Sequence, residues 1–304
     1  MSGTRPSHVG PEGGGCVEPP GPGPGSLSWS LVGDARGLLL APATIVLQLA
    51  HPTVGAGMAQ HSDFTRHPWG RLLRTINSSI RSTYGSWRVA AGEAARLREM
   101  HAGFTGVDDR GRRYAALDPA AYAWVHLTLS RYFIDVQSLL GRPLPDSDAA
   151  CFYREWRTVG LGLGVPDSAM PADWEAFGRY FDTVVSDVLE DNQAVRDALT
   201  LTRRPPPPAR WLAGPLWDRL TDRPAALHEL FTVGALPRQL RERLGLAWSE
   251  AEERKLQRWA AAIRRAGEAL PAPLHYYPQV APHVLGAALR DRRRAARSAG
   301  GRRG

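Results

Sequence analysis

The chain reads as an all-α protein, a single multi-helix domain with disordered ends, on three observations. From Trp29 onward, apolar residues recur at steps of three and four nearly everywhere. No run alternates apolar and polar residues for long enough to nominate a sheet. A hydrophobic share of 43% with 10 tryptophans in 304 residues can cover a large core, and one all-α domain can reach this size.

The elements follow in chain order. Residues 1–27 are rich in Gly and Pro and carry too little apolar surface to offset chain entropy, so they are expected to be disordered. A first helix is expected from about Asp34 to Ala50, with Pro52 stopping its continuation. A second starts at Pro68, where proline suits the first turn, and ends at Tyr84-Gly85. Ser86 can cap a third that runs to about Met100, and GVDDRGRRY, residues 106–114, reads as a turn or small hairpin. Asp118-Pro119 joins an N-cap to a first-turn proline and starts a helix that runs to about Leu140, where GRPLP breaks it.

Further helices are expected over about 147–160, 172–199, 223–233, 236–244 and 249–269, with Ser249 and Glu252 as a capping box for the last. The tetraproline Pro205–Pro208 is a stiff connector separating two packed helices. The folded domain then covers residues 28–288, followed by a disordered Arg-rich tail over 289–304.

Charge bears on function through its location. The formal charge is +8, but residues 290–304 hold seven arginines against one aspartate, so the body is nearly neutral. A solvated tail is the expected reading, and a nucleic-acid-binding arm is its competitor. Residues 1–26 lack the basic-then-apolar order of a secretory signal, and Gly37–Ala50 is shorter than the roughly 20 residues that cross a bilayer. A cytoplasmic protein is expected, with peripheral membrane contact compatible with an apolar substrate. Cys16 and Cys151 are far apart in the chain and imply no disulfide framework.

On the helix after Asp118, the residues Tyr122, Val125, Leu129, Phe133, Val136 and Leu140 write one apolar face, and His126 falls on it. A buried neutral imidazole on a rigid helix is what an axial haem ligand requires, and it is equally what a satisfied core histidine looks like. On the helix after Pro68, Arg71, Thr75 and Ser78 stack beside Leu72, Ile76 and Ile80, with Arg74 on the same helix. Such a ridge suits a ligand with an apolar body and a carboxylate edge, such as haem with its propionates, or a plain solvated face. His51 in QLAHP and His61 in AQHSDF lie just upstream as distal groups or local caps. HExxH, paired CxxC, GxSxG and P-loop motifs are absent.

Four stretches carry a resemblance: GDARGLLLAPATIVLQLAHPTVGAGMAQHSDF (33–64), RLLRT (71–75), RRYAALDPAAYAWVHLTL (112–129) and LPRQLRERLGLAWS (236–249). As a set they resemble the rubber oxygenase / MpaB-type oxygenases. The resemblance implies an all-α fold enclosing a b-type haem pocket, and an oxidoreductase that uses dioxygen on an apolar or unsaturated small molecule. It implies that His126 is the axial metal ligand and that Arg71 and Thr75 stand for the arginine and threonine of the family's Arg-x-x-Lys-Thr motif. Arg74 occupies the motif's lysine position, where a permanently protonated guanidinium cannot ligate iron.

Rubber-cleaving members use an upstream glutamate as a base, whereas this chain has none between Glu18 and Glu93. The groups in that region that could serve instead are Asp34, Asp63, His51 and His61. A non-catalytic haem-binding member of the same fold is the competing reading from another functional class.

Overall fold

The computed structural model describes residues 23–286 and 289. Among them the only sheet has two strands, and everything else of regular form is helical. Of the expected tails, 1–27 and 289–304, residues 1–22 and 290–304 lie outside the described residues, while Leu27 already belongs to a helix.

Helical structure is already present before Trp29. Ser26 caps a short helix, α1 (Leu27–Leu31), by accepting from the Trp29 N–H. The first long helix expected is in fact two pieces. Asp34 opens a 3-10 turn (Ala35–Leu39), and α2 (Ala41–Leu49) starts afresh with Pro42 in its first turn. Pro52, expected only to end a helix, begins another one, α3 (Pro52–His61), for the same reason.

Helix α4 (Pro68–Tyr84) and α5 (Trp87–Ala102) form an antiparallel pair, and a hairpin follows of β1 (Thr105–Val107) and β2 (Arg113–Ala115). Gly111 turns that hairpin at φ 78°, a conformation open to glycine at little cost. Asp118 accepts from the Ala120 and Ala121 N–H groups to start α6 (Pro119–Leu140). At 22 residues α6 is about 33 Å long and serves as the axis of the molecule.

Three apolar clusters are strung along α6. Trp124 and Leu127 join Val46, Leu49, Phe177 and Val195. Phe133 and Ile134 join Leu31, Phe152 and Trp156. Val136 and Leu140 join Leu40, Phe231 and Leu256. The partners come from α1, from Leu40 just before α2 and from α2 itself, from α7 (Asp146–Leu163), α8 (Trp174–Asp187) and α9 (Gln193–Arg203), and from α10 (Pro215–Ala235) and α12 (Glu250–Ala269).

The single helix expected over 172–199 is broken into α8 and α9. The Arg243 guanidinium, at the end of α11 (Arg238–Arg243), donates to the carbonyls of Val185, Ser186 and Leu189, while the Glu190 N–H donates to Ala50 O at 2.8 Å. These long-range bonds satisfy the broken helix end, and Asn192 caps the restart. Helix α10 begins eight residues before the expected 223, carrying Pro224 inside it. The tetraproline links α9 to α10, and its carbonyls are taken by Trp69 and Trp217. Ser249 and Glu252 form the expected capping box.

Cys151 on α7 is disulfide-bonded, which corrects the expectation from sequence for that residue, while Cys16 lies outside the described residues. Separation along the chain is a weak guide to pairing, because loop closure grows only logarithmically in cost. Here Glu155 on α7 draws the start of α1 onto that helix, accepting from Leu27 N, Ser28 N and Ser28 Oγ at 3.2, 2.8 and 2.8 Å.

Candidate functional site

One corner of the molecule gathers aromatic, imidazole and guanidinium groups. It lies where the end of α3, the start of α4, the end of α5, the hairpin and the start of α6 meet. His61 closes α3 and stacks on Phe104, with centroids 4.8 Å apart and planes within 9°. His101, near the end of α5, meets the same Phe104 ring edge-on at 5.7 Å and Tyr122 at 6.0 Å. Tyr122 is itself held by a bond from its hydroxyl to Leu163 O at 3.2 Å.

His101 is half-buried, with its Nδ1 buried. Burial lowers its pKa, the Leu97 carbonyl works against that, and the Arg71 and Arg96 cations lower it further. The neutral ring is therefore favoured, which is the form able to bind a metal. Arg71 faces His101 from α4. It is half-buried, and among the described residues it has no ion pair. Burial and then neighbouring Arg74 lower its pKa, against the pull of Asp63. That combination leaves a partly desolvated cation with donors to spare.

The other residues of the expected ridge do different things. Thr75 is exposed, and its hydroxyl donates back to Arg71 O at 3.0 Å. Arg74 is exposed, 3.6 Å from Asp63. Ser78 belongs to a lock between α4 and α5. Its hydroxyl donates to Glu93 at 2.6 Å, and Arg96 and Arg81 reach the same carboxylate at 2.5 and 3.1 Å. The Arg96 bonds, with help from Ser78 and Arg81, hold the Glu93 carboxyl down at about pKa 2 despite its burial.

His126 is placed apart from this corner, one helical turn past Tyr122 and buried between α6 and α7. Its ring lies parallel to that of Trp156 with centroids at 5.3 Å, and its Nε2 is 2.8 Å from Trp156 O. A carbonyl can only accept, so Nε2 carries the proton and the lone pair sits on Nδ1, which is buried and unpartnered. Trp156 returns a bond from Nε1 to His126 O at 3.1 Å. Gly160 gives the ring its room, since a Cβ there would stand 2.7 Å from Cδ2 and Nε2. Burial pushes the His126 pKa down to about 4.

His51 sits at the start of α3, also buried, with an unpartnered Nδ1 and a pKa lowered by burial. Asp34 is committed to Arg36 and Gln137 in the core. The structure thus brings His61 and Arg71 together with His101, and leaves His51 and His126 elsewhere. Sequence reasoning missed His101. Ala94 and Leu97 stand seven and four residues before it on the inner face of α5, a short stripe that could have marked it, but its partners on α4 and α6 are what give it a role.

Among the described residues, no three His, Cys, Asp or Glu side chains gather to hold a bare metal ion. The donors on offer are single neutral imidazoles, one of them beside an unpaired guanidinium. That set fits a macrocyclic iron cofactor that needs one axial nitrogen and a cation for its carboxylate edge.

Residues 29–265 match the family model described as ER-bound oxygenase mpaB/B'/Rubber oxygenase, catalytic domain. Two uncharacterized mycobacterial proteins are similar over most of their length, one from Mycobacterium bovis and one from Mycobacterium tuberculosis. Each is 28% identical over 242 residues, which cover 77% of this chain and 90% of the relative. No solved structure matches.

Proposed function

The chain belongs to the mpaB/rubber oxygenase catalytic-domain family, an oxygenase-type domain, and from that premise we propose that it is a haem-dependent oxygenase acting on an apolar or unsaturated small molecule. One observation carries the haem assignment: His101, a half-buried imidazole kept neutral, faces an Arg71 that has no ion pair among the described residues. When bound, the haem b iron would supply the binding and activation of dioxygen.

The chain's own groups have separable tasks in this reading. His101 would hold the iron, with Phe104 and Tyr122 packed edge-on against its ring to fix its plane. Arg71 would bind the carboxylate edge through its guanidinium, while Thr75 spends its hydroxyl proton on Arg71 O and so supports that residue's backbone. Arg74 contributes charge only, because it stays protonated.

His126 is the second reading, favoured by its buried and unpartnered Nδ1. Against it stands the setting of the ring, which lies against Trp156 and Gly160 with only burial and the Trp156 carbonyl acting on its charge, so that among the described residues no guanidinium stands beside it for a carboxylate edge.

The test is the haem-to-protein ratio, by pyridine haemochrome, of protein made with ample haem supply. His101→Ala is expected to lose the haem band, and His126→Ala to keep it while losing stability. The opposite pattern transfers the role to His126. Wild-type protein without haem under these conditions overturns the haem assignment. Arg71→Ala is expected to lower occupancy about tenfold or more, from loss of a charge-assisted bond worth roughly 1.5–3 kcal/mol.

A further inference from the structure

The hydrogen bonds around His61 form a chain whose direction is determined at its far end. Gln60 donates from Nε2 to Val107 O at 2.8 Å, so its amide oxygen must face the other way. That oxygen accepts from Tyr114 Oη at 2.6 Å. With its single proton spent there, the Tyr114 hydroxyl has only lone pairs to offer His61 Nε2, 3.1 Å away. His61 Nε2 must then carry the proton, and the basic lone pair is placed on Nδ1.

Gly106 makes this geometry possible. A Cβ at that position would stand 2.7 Å from Tyr114 Oη and 2.8 Å from Gln60 Oε1. Tyr114 is buried in the hairpin, which holds its hydroxyl still, whereas His61 is exposed and reachable by a substrate. The ring is one aromatic residue away from His101, since both pack on Phe104. Of the four groups able to replace an upstream glutamate, Asp34 and His51 are buried elsewhere, and Asp63 is engaged by Arg74.

We propose that His61 is the proton acceptor of this site, acting through Nδ1, and that Gln60, Tyr114 and Gly106 are the positioning residues that set its tautomer. The base assignment rests on the oxygenase reading, while the tautomer assignment stands independently of it. In the transfer, an X–H bond of the substrate breaks, its electron pair stays on the substrate, and an Nδ1–H bond forms on His61. The Nε2–H bond to Tyr114 is unchanged by this step, so the ring needs no reorientation as it takes on charge. If His61 merely complemented the C-terminal end of α3, its tautomer would be free.

Two measurements on the full-length protein test this. Long-range 15N–1H spectra of 15N-histidine-labelled protein are expected to show neutral His61 as the Nε2–H tautomer. Tyr114→Phe, Gln60→Leu and Gly106→Ala should each move it towards a mixture, while Gln60→Glu, which keeps an acceptor for Tyr114, should preserve it. A wild-type Nδ1–H tautomer, or spectra indifferent to Tyr114→Phe, would overturn the positioning assignment. The second measurement is dioxygen uptake with farnesol and with 4-methylphenol. His61→Gln is expected to lower kcat by about 100-fold or more at unchanged haem occupancy, and Tyr114→Phe to lower kcat with KM unchanged. Wild-type turnover in His61→Gln removes the base. A wild-type protein with no uptake removes the oxygenase reading and the base with it, leaving the tautomer to the spectra alone.

Discussion

His126 and Gly160 show how one glycine can decide the place of a histidine. The imidazole lies flat on Trp156 and gives its Nε2 proton to that residue's carbonyl, and this is possible only because α7 has no side chain at 160. Gly160 sits inside α7, so its need is for space and not for backbone freedom. Gly160→Ala should therefore cost about 1–3 kcal/mol through overpacking, read as a lower urea midpoint at constant m-value. An unchanged midpoint would mean that the ring swings away without loss. The same residue type acts differently at 106, where the missing side chain protects a hydrogen-bond chain instead of a ring.

The pairing of α4 with α5 depends on one buried carboxylate. Glu93 gathers Ser78 and Arg81 from α4 and Arg96 from its own helix, so α4, which also carries Arg71, is set against the helix that carries His101. The folded pKa is depressed from 4.5 to about 2. A depressed acid contributes stability that is complete above the unfolded value and is lost as pH falls through the folded one. The contribution of this lock should accordingly fade between pH 4.5 and about 2. Denaturant titrations across that window should show a wild-type slope that Glu93→Gln flattens. A variant with the wild-type slope would place the acid sensitivity in other carboxylates.

For the whole molecule, α6 threads three apolar clusters and is the helix they share. The net charge is distributed quite differently, being concentrated beyond residue 289. Removing residues 290–304 should leave Tm and helical circular dichroism unchanged. It should also abolish any salt-sensitive binding to duplex DNA shown by the full chain, since exposed charges act through counterion release. A large fall in Tm would show instead that the tail contributes to the folded body.

The sequence by itself determined whatever is written in neighbouring residues. The helices at Pro68–Tyr84 and Pro119–Leu140 match expectation, because first-turn prolines, the Asp118 cap and the glycines after them are local signals. The hairpin turn and the Ser249-Glu252 box were legible on the same terms. Family membership was legible too, because it rests on strings of adjacent residues. Only the tertiary structure decided the rest. The break between α8 and α9 is made by Ala50 and by Arg243, neither of which is near it in sequence. His126 falls on a core face as its spacing predicts, yet what its nitrogens do is settled by Trp156, 30 residues away. His101 follows Ala94 and Leu97 at helical spacing, yet it gains its meaning from Arg71 and Tyr122 on other helices. Helix periodicity encodes which way a side chain points, but a site is a set of distances between elements, and those are fixed when the elements pack.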